Sequence, residues 1–134
     1  RFWHREILDP LYQFKDELEG KHANTQIPKV IGAAKLYNIT GDEKYKNAAV
    51  FFWNIVTKKR SYVIGGNSID EHFGKIGTEQ LGVTTAETCN TYNMMKLTEI
   101  LYSWSHDNHI VCSQDPHSGM KTYFSSTQPG HFKV

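Results

Sequence analysis

The stretch "IPKVIGAAKLYNITGDEKYKNAAVFFWNIV", residues 27–56, decides the fold because two helical patterns meet there across a short polar break. Before the break, apolar residues recur with helical spacing at Ile27, Val30, Ile31, Ala34 and Tyr37. After the break the same spacing recurs at Tyr45, Ala48, Ala49, Phe52, Trp53 and Val56. Two amphipathic helices joined by so short a connection predict an αα-hairpin.

The ends of these two helices carry recognisable signals. Pro28 falls where the first turn of a helix tolerates proline. Thr40 and Glu43 have the spacing of a capping box for the second helix. The basic residues at positions 58–60 suit the C-terminus of that helix, where the backbone dipole favours cations.

Two further helices are predicted outside the hairpin. The first ends near Gly20, with a possible kink at Pro10, and its apolar stripe is Trp3, Ile7, Leu11, Phe14 and Leu18. The last begins between Glu87 and Asn90, and its buried stripe is Met94, Leu97, Leu101 and Trp104. The β-branched, glycine and aromatic content near residues 61–66 predicts a short strand, with a turn as the alternative, and the content near residues 119–134 predicts turns and short strands.

The predicted fold class is therefore all-α, built from αα-hairpins within one domain over residues 1–134. Such hairpins form bundles, solenoids and α/α-toroids, and no clean repeat selects a solenoid. The hairpin is rich in aromatic residues, which are Tyr37, Tyr45, Phe51, Phe52 and Trp53. They predict either a rich core or faces that pack on other parts of a larger protein, with self-association if those faces are exposed.

Composition argues against several classes of partner. Fifteen basic and fourteen acidic residues give a net charge of +1, and the lysines are scattered among acids, so neither nucleic acid nor an acidic membrane surface is expected. No apolar run has the length of a membrane span. Two cysteines, Cys89 and Cys112, leave a bridge, a reduced state or metal binding open. The compartment is not determined, with the cytoplasm preferred over secretion or the periplasm.

Polar residues that could carry chemistry occur in three clusters. In "GKHANTQIP", His22, Asn24 and Gln26 are expected just before a helix, where the alternative is that Asn24 or Thr25 caps the helix and His22 is solvated. In "GGNSIDEHFG", Glu71 follows a glycine pair, and Phe73 is expected to form an apolar wall that suits a general acid. A plain acidic loop is the alternative.

The third cluster is "TTAETCN", which contains Glu87 and Cys89. Thr84 and Glu87 have capping-box spacing, which would leave Cys89 as a small buried apolar residue. The competing interpretation takes Glu87 and Cys89 as ligands of one metal, because a carboxylate and a thiolate suit zinc. The residues alone leave both interpretations open.

Several segments in sequence resemble one family, glycoside hydrolase family 127, the non-reducing-end β-L-arabinofuranosidases. These segments are "HANTQIPKVIGAAKLYNITGDEKY", "FFWNIV", "YVIGGNSIDEHFG", "AETCNTYNMMKLTEIL" and "NHIVCSQDPHSGMKTYF" with "PGHFKV". They follow the order of the family's motifs and cover nearly the whole chain. The resemblance is specific because separate motifs agree.

The resemblance implies part of a catalytic (α/α)6 barrel and a carbohydrate substrate of the arabinofuranoside type. It also implies zinc held by one glutamate and three cysteines, one of which is the nucleophile of a retaining reaction. By position, Glu87 and Cys89 match two zinc ligands, and Glu71 matches the general acid/base. His22 matches a sugar-binding histidine, and Tyr123 is a further substrate-binding candidate.

The family carries a pair of adjacent cysteines downstream of the segment that ends this sequence. We therefore expect this 134-residue chain to be an internal fragment of the catalytic domain, inactive by itself and able to bind zinc only weakly. The alternatives are a non-catalytic carbohydrate-binding remnant and a helical interaction module.

Overall fold

The computed structural model describes residues 5–62, 65–77 and 83–104. Within these residues the chain forms four α-helices and one π-helical turn. The helices are α1 (Arg5–Tyr12), α2 (Ala23–Thr40), α3 (Glu43–Ile55) and α4 (Thr88–Trp104), and the π-helical turn, Val56–Arg60, continues α3. The predicted all-α class is confirmed.

Helices α2 and α3 form the predicted hairpin, but its connection is capped differently from the expectation. Gly41 ends α2 with a φ of 69°, a left-handed conformation that glycine adopts without steric cost. The side chain of Asp42 accepts a hydrogen bond from the amide of Lys44 and caps α3. Lys44 also donates from its side chain, and these bonds lower the pKa of the Asp42 carboxyl group. The predicted capping box of Thr40 and Glu43 is wrong, because Thr40 is the last residue of α2.

Helix α1 is shorter than its apolar stripe predicts. It ends at Tyr12, and Phe14 follows with a φ of 55°. The amides of Phe14 and Lys15 bond back to the carbonyls of Leu11 and Pro10, which is the pattern of a Schellman motif with phenylalanine in the position that glycine usually takes. The stripe still predicted burial correctly at Leu18, which is fully buried outside the helix.

The core lies between α2 and its two neighbours, because α2 packs against both α3 and α4 while α1 packs on α3. Three of the hairpin's aromatic residues, Tyr45, Phe52 and Trp53, are buried, and Tyr37 and Phe51 pack partly buried against this core. Of the two alternatives for the hairpin's aromatic residues, a rich core therefore describes most of them. No helix in the described part of the chain is both long enough and apolar enough to cross a membrane.

The segment at residues 61–66 is, at its described positions, the turn that the sequence left as the alternative, and the predicted strand is wrong. The amide of Gly65 bonds to the carbonyl of Tyr62, and the amide of Tyr62 bonds to the carbonyl of Gly66. Gly65 has a φ of 87°, which reverses the chain where a strand would continue. The second predicted strand, at residues 119–134, lies outside the described residues.

Candidate functional site

Glu71 lies in a tight turn whose backbone conformation is unusual for a glutamate. The amides and carbonyls of Ile69 and His72 bond to each other at 2.8 and 2.9 Å, which leaves Asp70 and Glu71 as a two-residue loop. Asp70 has a φ of 46° and Glu71 a φ of 66°. Such loops favour Asn-Gly or Asp-Gly because both residues need positive φ. A left-handed conformation at a residue other than glycine costs on the order of 1–3 kcal/mol.

The backbone beside α2 holds this turn in place. The amide of Ala23 bonds to the carbonyl of Glu71 at 2.7 Å, and the amide of Phe73 bonds to the carbonyl of Lys21 at 2.9 Å. His22 and His72 form an isolated antiparallel bridge between these bonds. The turn is therefore fixed to the residues that lead into α2.

These backbone bonds bring His22 and Glu71 together. Nε2 of His22 lies 3.3 Å from Oε2 of Glu71, with the two side chains 34% and 62% exposed. The rings of His22 and His72 lie 5.3 Å apart. Nδ1 of His22 is buried and has no hydrogen-bond partner. The two residues that the sequence singled out in separate clusters thus share one site.

Helix α2 begins earlier than the sequence indicated. Its first residue is Ala23, so Asn24 and Gln26 lie inside the helix, and Pro28 lies in its second turn. Neither Asn24 nor Thr25 caps α2, because the N-cap residue is His22 and it makes no side-chain capping bond. His22 is also only partly exposed, so the solvated-loop alternative does not describe it.

The expected apolar wall beside Glu71 is not formed by Phe73. Phe73 is 1% exposed and packs edge-on against Phe52 in the core, with the guanidinium of Arg60 over its ring at 5.9 Å. The Glu71 side chain is 62% exposed. Phe73 anchors the turn in the core through its contact with Phe52, and the Glu71 carboxylate stays accessible to solvent.

The start of α4 carries Glu87 and Cys89. Glu87 directly precedes the helix, and its carbonyl accepts the amide hydrogen bond of Thr91 at 3.0 Å. This is the N-cap position, not the third helical position that a capping box with Thr84 requires. Cys89 is a free, exposed thiol. The interpretation of these residues as a capping box and a buried cysteine is therefore wrong.

What these two residues offer chemically is a carboxylate and a thiol at one helix start. Oε2 of Glu87 is buried without a hydrogen-bond partner, a state that a bound cation would relieve. Oxygen and sulfur donors both suit zinc. Among the described residues no group of three or more His, Cys, Asp and Glu side chains is arranged for a metal. Glu87 and Cys89 therefore offer two donor atoms of the kinds that zinc binds.

Two asparagine pairs that the sequence reasoning missed also join α4 to other segments, one of them buried and the other partly buried. Nδ2 of Asn90 donates to Oδ1 of Asn67 at 2.8 Å, and Nδ2 of Asn93 donates to Oδ1 of Asn24 at the same distance. A signal was present, since Asn90 lies four residues before Met94, in line with the buried stripe of α4. A polar residue on an apolar stripe indicates a buried hydrogen bond. Tyr123 lies outside the described residues.

Comparison with known protein families identifies a match over the whole chain. The family model described as "Beta-L-arabinofuranosidase, GH127 catalytic domain" matches residues 1–134. A comparison with curated proteins found no match.

Proposed function

Because this chain belongs to the catalytic-domain family of the family 127 β-L-arabinofuranosidases, we propose that it forms part of an (α/α)6 barrel that hydrolyses an arabinofuranoside-type glycan with retention. Glu71 is the proposed general acid/base, and His22 and Tyr123 are the proposed substrate-binding residues. Glu87 and Cys89 are the proposed zinc ligands. The family is one of glycoside hydrolases, so a carbohydrate is the substrate class.

The observation that carries this proposal is the conformation of Glu71. A glutamate with a φ of 66° occupies a turn position where glycine would be free of strain. Residues kept in such conformations cluster at active sites. The strain favours a functional role for the turn, and of its two carboxylates it is Glu71 that contacts His22 at 3.3 Å.

The surroundings of Glu71 suit that role. In a retaining reaction one carboxyl group first gives a proton to the departing glycosidic oxygen and later takes a proton from the attacking water. The carboxylate of Glu71 is 62% exposed, which allows it to meet both substrate and water, and His22 Nε2 at 3.3 Å limits its orientations. The His22 side chain is 34% exposed beside Glu71, so a sugar hydroxyl group could contact both groups.

The zinc proposal rests on the donor atoms at the start of α4. Zinc, when bound, keeps a coordinated thiol deprotonated near neutral pH. Glu87 would contribute its buried, unpartnered Oε2, and Cys89 its exposed thiol, to that site. Their position just before and just within the first turn of α4 fixes both to one rigid element.

The substitution Glu71→Gln in the intact protein tests this function. We expect hydrolysis of an alkyl arabinofuranoside, a substrate with a poor leaving group, to fall by about 10²–10⁴-fold because the proton transfer is lost, while the zinc content stays the same. Asp70→Asn is the matched control, since Asp70 shares the turn and the positive φ but is expected to retain activity. Near-normal turnover by Glu71→Gln would remove Glu71 from the role. Sugar binding without hydrolysis by the intact wild-type protein would favour the non-catalytic alternative.

A further inference from the structure

A buried pair of asparagines joins the segment that carries Glu71 to the helix that carries Glu87 and Cys89. Asn67 precedes Glu71 in the same loop, and Asn90 follows Cys89 on α4. The two side chains share a hydrogen bond of 2.8 Å, and the residues are 2% and 1% exposed. This bond is a direct side-chain link between the two parts of the proposed site.

A close backbone approach fixes the same junction. A Cβ atom added at Gly66 would lie 2.5 Å from the carbonyl oxygen of Thr85 and 3.3 Å from Cα of Ala86. Only glycine allows the loop to come so near the residues that lead into Glu87. The asparagine bond therefore acts at a point where the two segments are already in contact.

The chemistry of the Asn67–Asn90 pair favours a role in positioning the loop relative to α4. An apolar pair would fill a buried position without the cost of removing amides from water, whereas here Oδ1 of Asn90 and the neighbouring Oγ of Ser68 are buried and lack partners. Buried polar bonds with a fixed direction allow one arrangement of the segments they join. Such a bond specifies where the loop lies on α4.

We propose that Asn67 and Asn90 are positioning residues that set the separation between Glu71 and the Glu87–Cys89 ligand pair. The proposal rests on the proposed function, because a retaining reaction needs its acid/base and its nucleophilic centre at a fixed distance. Neither asparagine touches the substrate in this scheme. Both act through the loop that holds Glu71.

The test compares Asn67→Ala, Asn90→Ala and the double variant in the intact protein. We expect kcat for an alkyl arabinofuranoside to fall by about 10–100-fold, the effect of misplacing a catalytic group by about 1 Å, with KM and zinc content close to wild type. For a 4-nitrophenyl arabinofuranoside kcat/KM should fall less than for the alkyl substrate, because this ratio reports the first step, in which the nitrophenolate departs with little help from an acid. The double variant should be no slower than either single variant, since all three lack the same bond.

Amide hydrogen exchange supplies a readout that does not depend on activity. Residues 66–72 should exchange faster in Asn90→Ala than in the wild-type protein. Thr98→Val is the matched control, because it removes another buried 2.8 Å hydrogen bond of α4, the one from Trp53 Nε1 to Thr98 Oγ1. It should lower the Tm similarly, with kcat and exchange at residues 66–72 unchanged.

If the alanine variants fold poorly, kcat is normalised to the zinc-loaded fraction of each preparation, so that only folded protein is counted. Wild-type kcat in Asn67→Ala or Asn90→Ala, equal losses of kcat/KM with both substrates, or unchanged amide exchange at residues 66–72 in Asn90→Ala would overturn the inference. Glu71→Gln, measured in parallel, separates the two proposals: if it is inactive while the asparagine variants are normal, only the positioning role fails, and if it is fully active, both fail.

Discussion

His22 Nε2 lies 3.3 Å from Glu71 Oε2, and the same two segments are joined by a backbone hydrogen bond of 2.7 Å from the amide of Ala23 to the carbonyl of Glu71. The backbone bond holds the segments together whether or not the side chains interact. The side-chain pair faces solvent, and such exposed pairs contribute little to folding stability. Its effect is therefore expected to appear in catalysis.

The first prediction concerns His22→Ala in the intact protein. We expect kcat/KM for an arabinofuranoside to fall by about 10–100-fold, because Glu71 loses the group that limits its orientations, while the Tm changes little. His72→Ala is the comparison: it removes the neighbouring ring at 5.3 Å and the contact of His72 Nδ1 with the carbonyl of Asp70 at 2.6 Å, but no side-chain atom of the His22–Glu71 pair, so its effect should be smaller. Equal kinetics for wild type and His22→Ala would contradict the predicted role.

The second prediction concerns Glu71→Gly, which removes the strain of a left-handed glutamate. We expect the free energy of unfolding to rise by roughly 0.5–1 kcal/mol, because the relief of strain exceeds the extra freedom that glycine gives the unfolded chain. Hydrolytic activity should be lost. Glu71→Ala removes the same carboxylate without relieving the backbone, so it should be less stable than Glu71→Gly. A Glu71→Gly variant less stable than wild type in urea denaturation would show that the turn does not store strain.

The sequence predicted the helices well because their apolar stripes determine burial. Ile7, Leu11 and Leu18 of the first stripe are buried as predicted, but Phe14 of the same stripe is 59% exposed, because the helix ends at Tyr12 and Phe14 adopts a positive φ. Helix starts were less predictable. The amide of Ala23 bonds to Glu71, a residue far along the chain, and no local pattern signals such a partner.

The site was predictable in its residues but not in its arrangement. Residue type and resemblance singled out His22, Glu71, Glu87 and Cys89. The positive φ of Glu71 was not visible, because the pair Asp70–Glu71 lacks the glycine that marks such turns. The Asn67–Asn90 bond was also not visible, since hydrogen bonds between distant segments depend on how the helices pack.

The third prediction concerns Cys89→Ser. We expect the intact protein to lose most of its bound zinc together with its activity, because a neutral hydroxyl is a much weaker ligand than a thiolate. Cys112→Ser is the control, since the sequence does not place Cys112 among the ligands. Elemental analysis measures the result. Full zinc occupancy in Cys89→Ser would exclude Cys89 from the site.

The last prediction concerns Asp16, which forms an ion pair with Arg60 next to the turn that carries Glu71. Nη2 of Arg60 lies 2.8 Å from both carboxylate oxygens of Asp16, and Nη1 donates to the carbonyl of Gly74. The two side chains are 4% and 16% exposed, so Asp16→Ala would leave a buried guanidinium without its counter-charge.

Removing one partner of a buried ion pair costs about 3–5 kcal/mol, so urea denaturation of Asp16→Ala should show a loss near the lower end of that range, because Asp16 is not fully buried. Lys46→Ala is the control: it breaks an ion pair with Glu43 whose side chains are 35% and 61% exposed, and pairs of that kind are worth about 0–1 kcal/mol. Because Gly74 follows Phe73 in the anchored turn, Asp16→Ala should also speed amide exchange at residues 69–74, and Lys46→Ala should not. Equal stability losses in the two variants would mean that the Arg60–Asp16 pair does not support the turn.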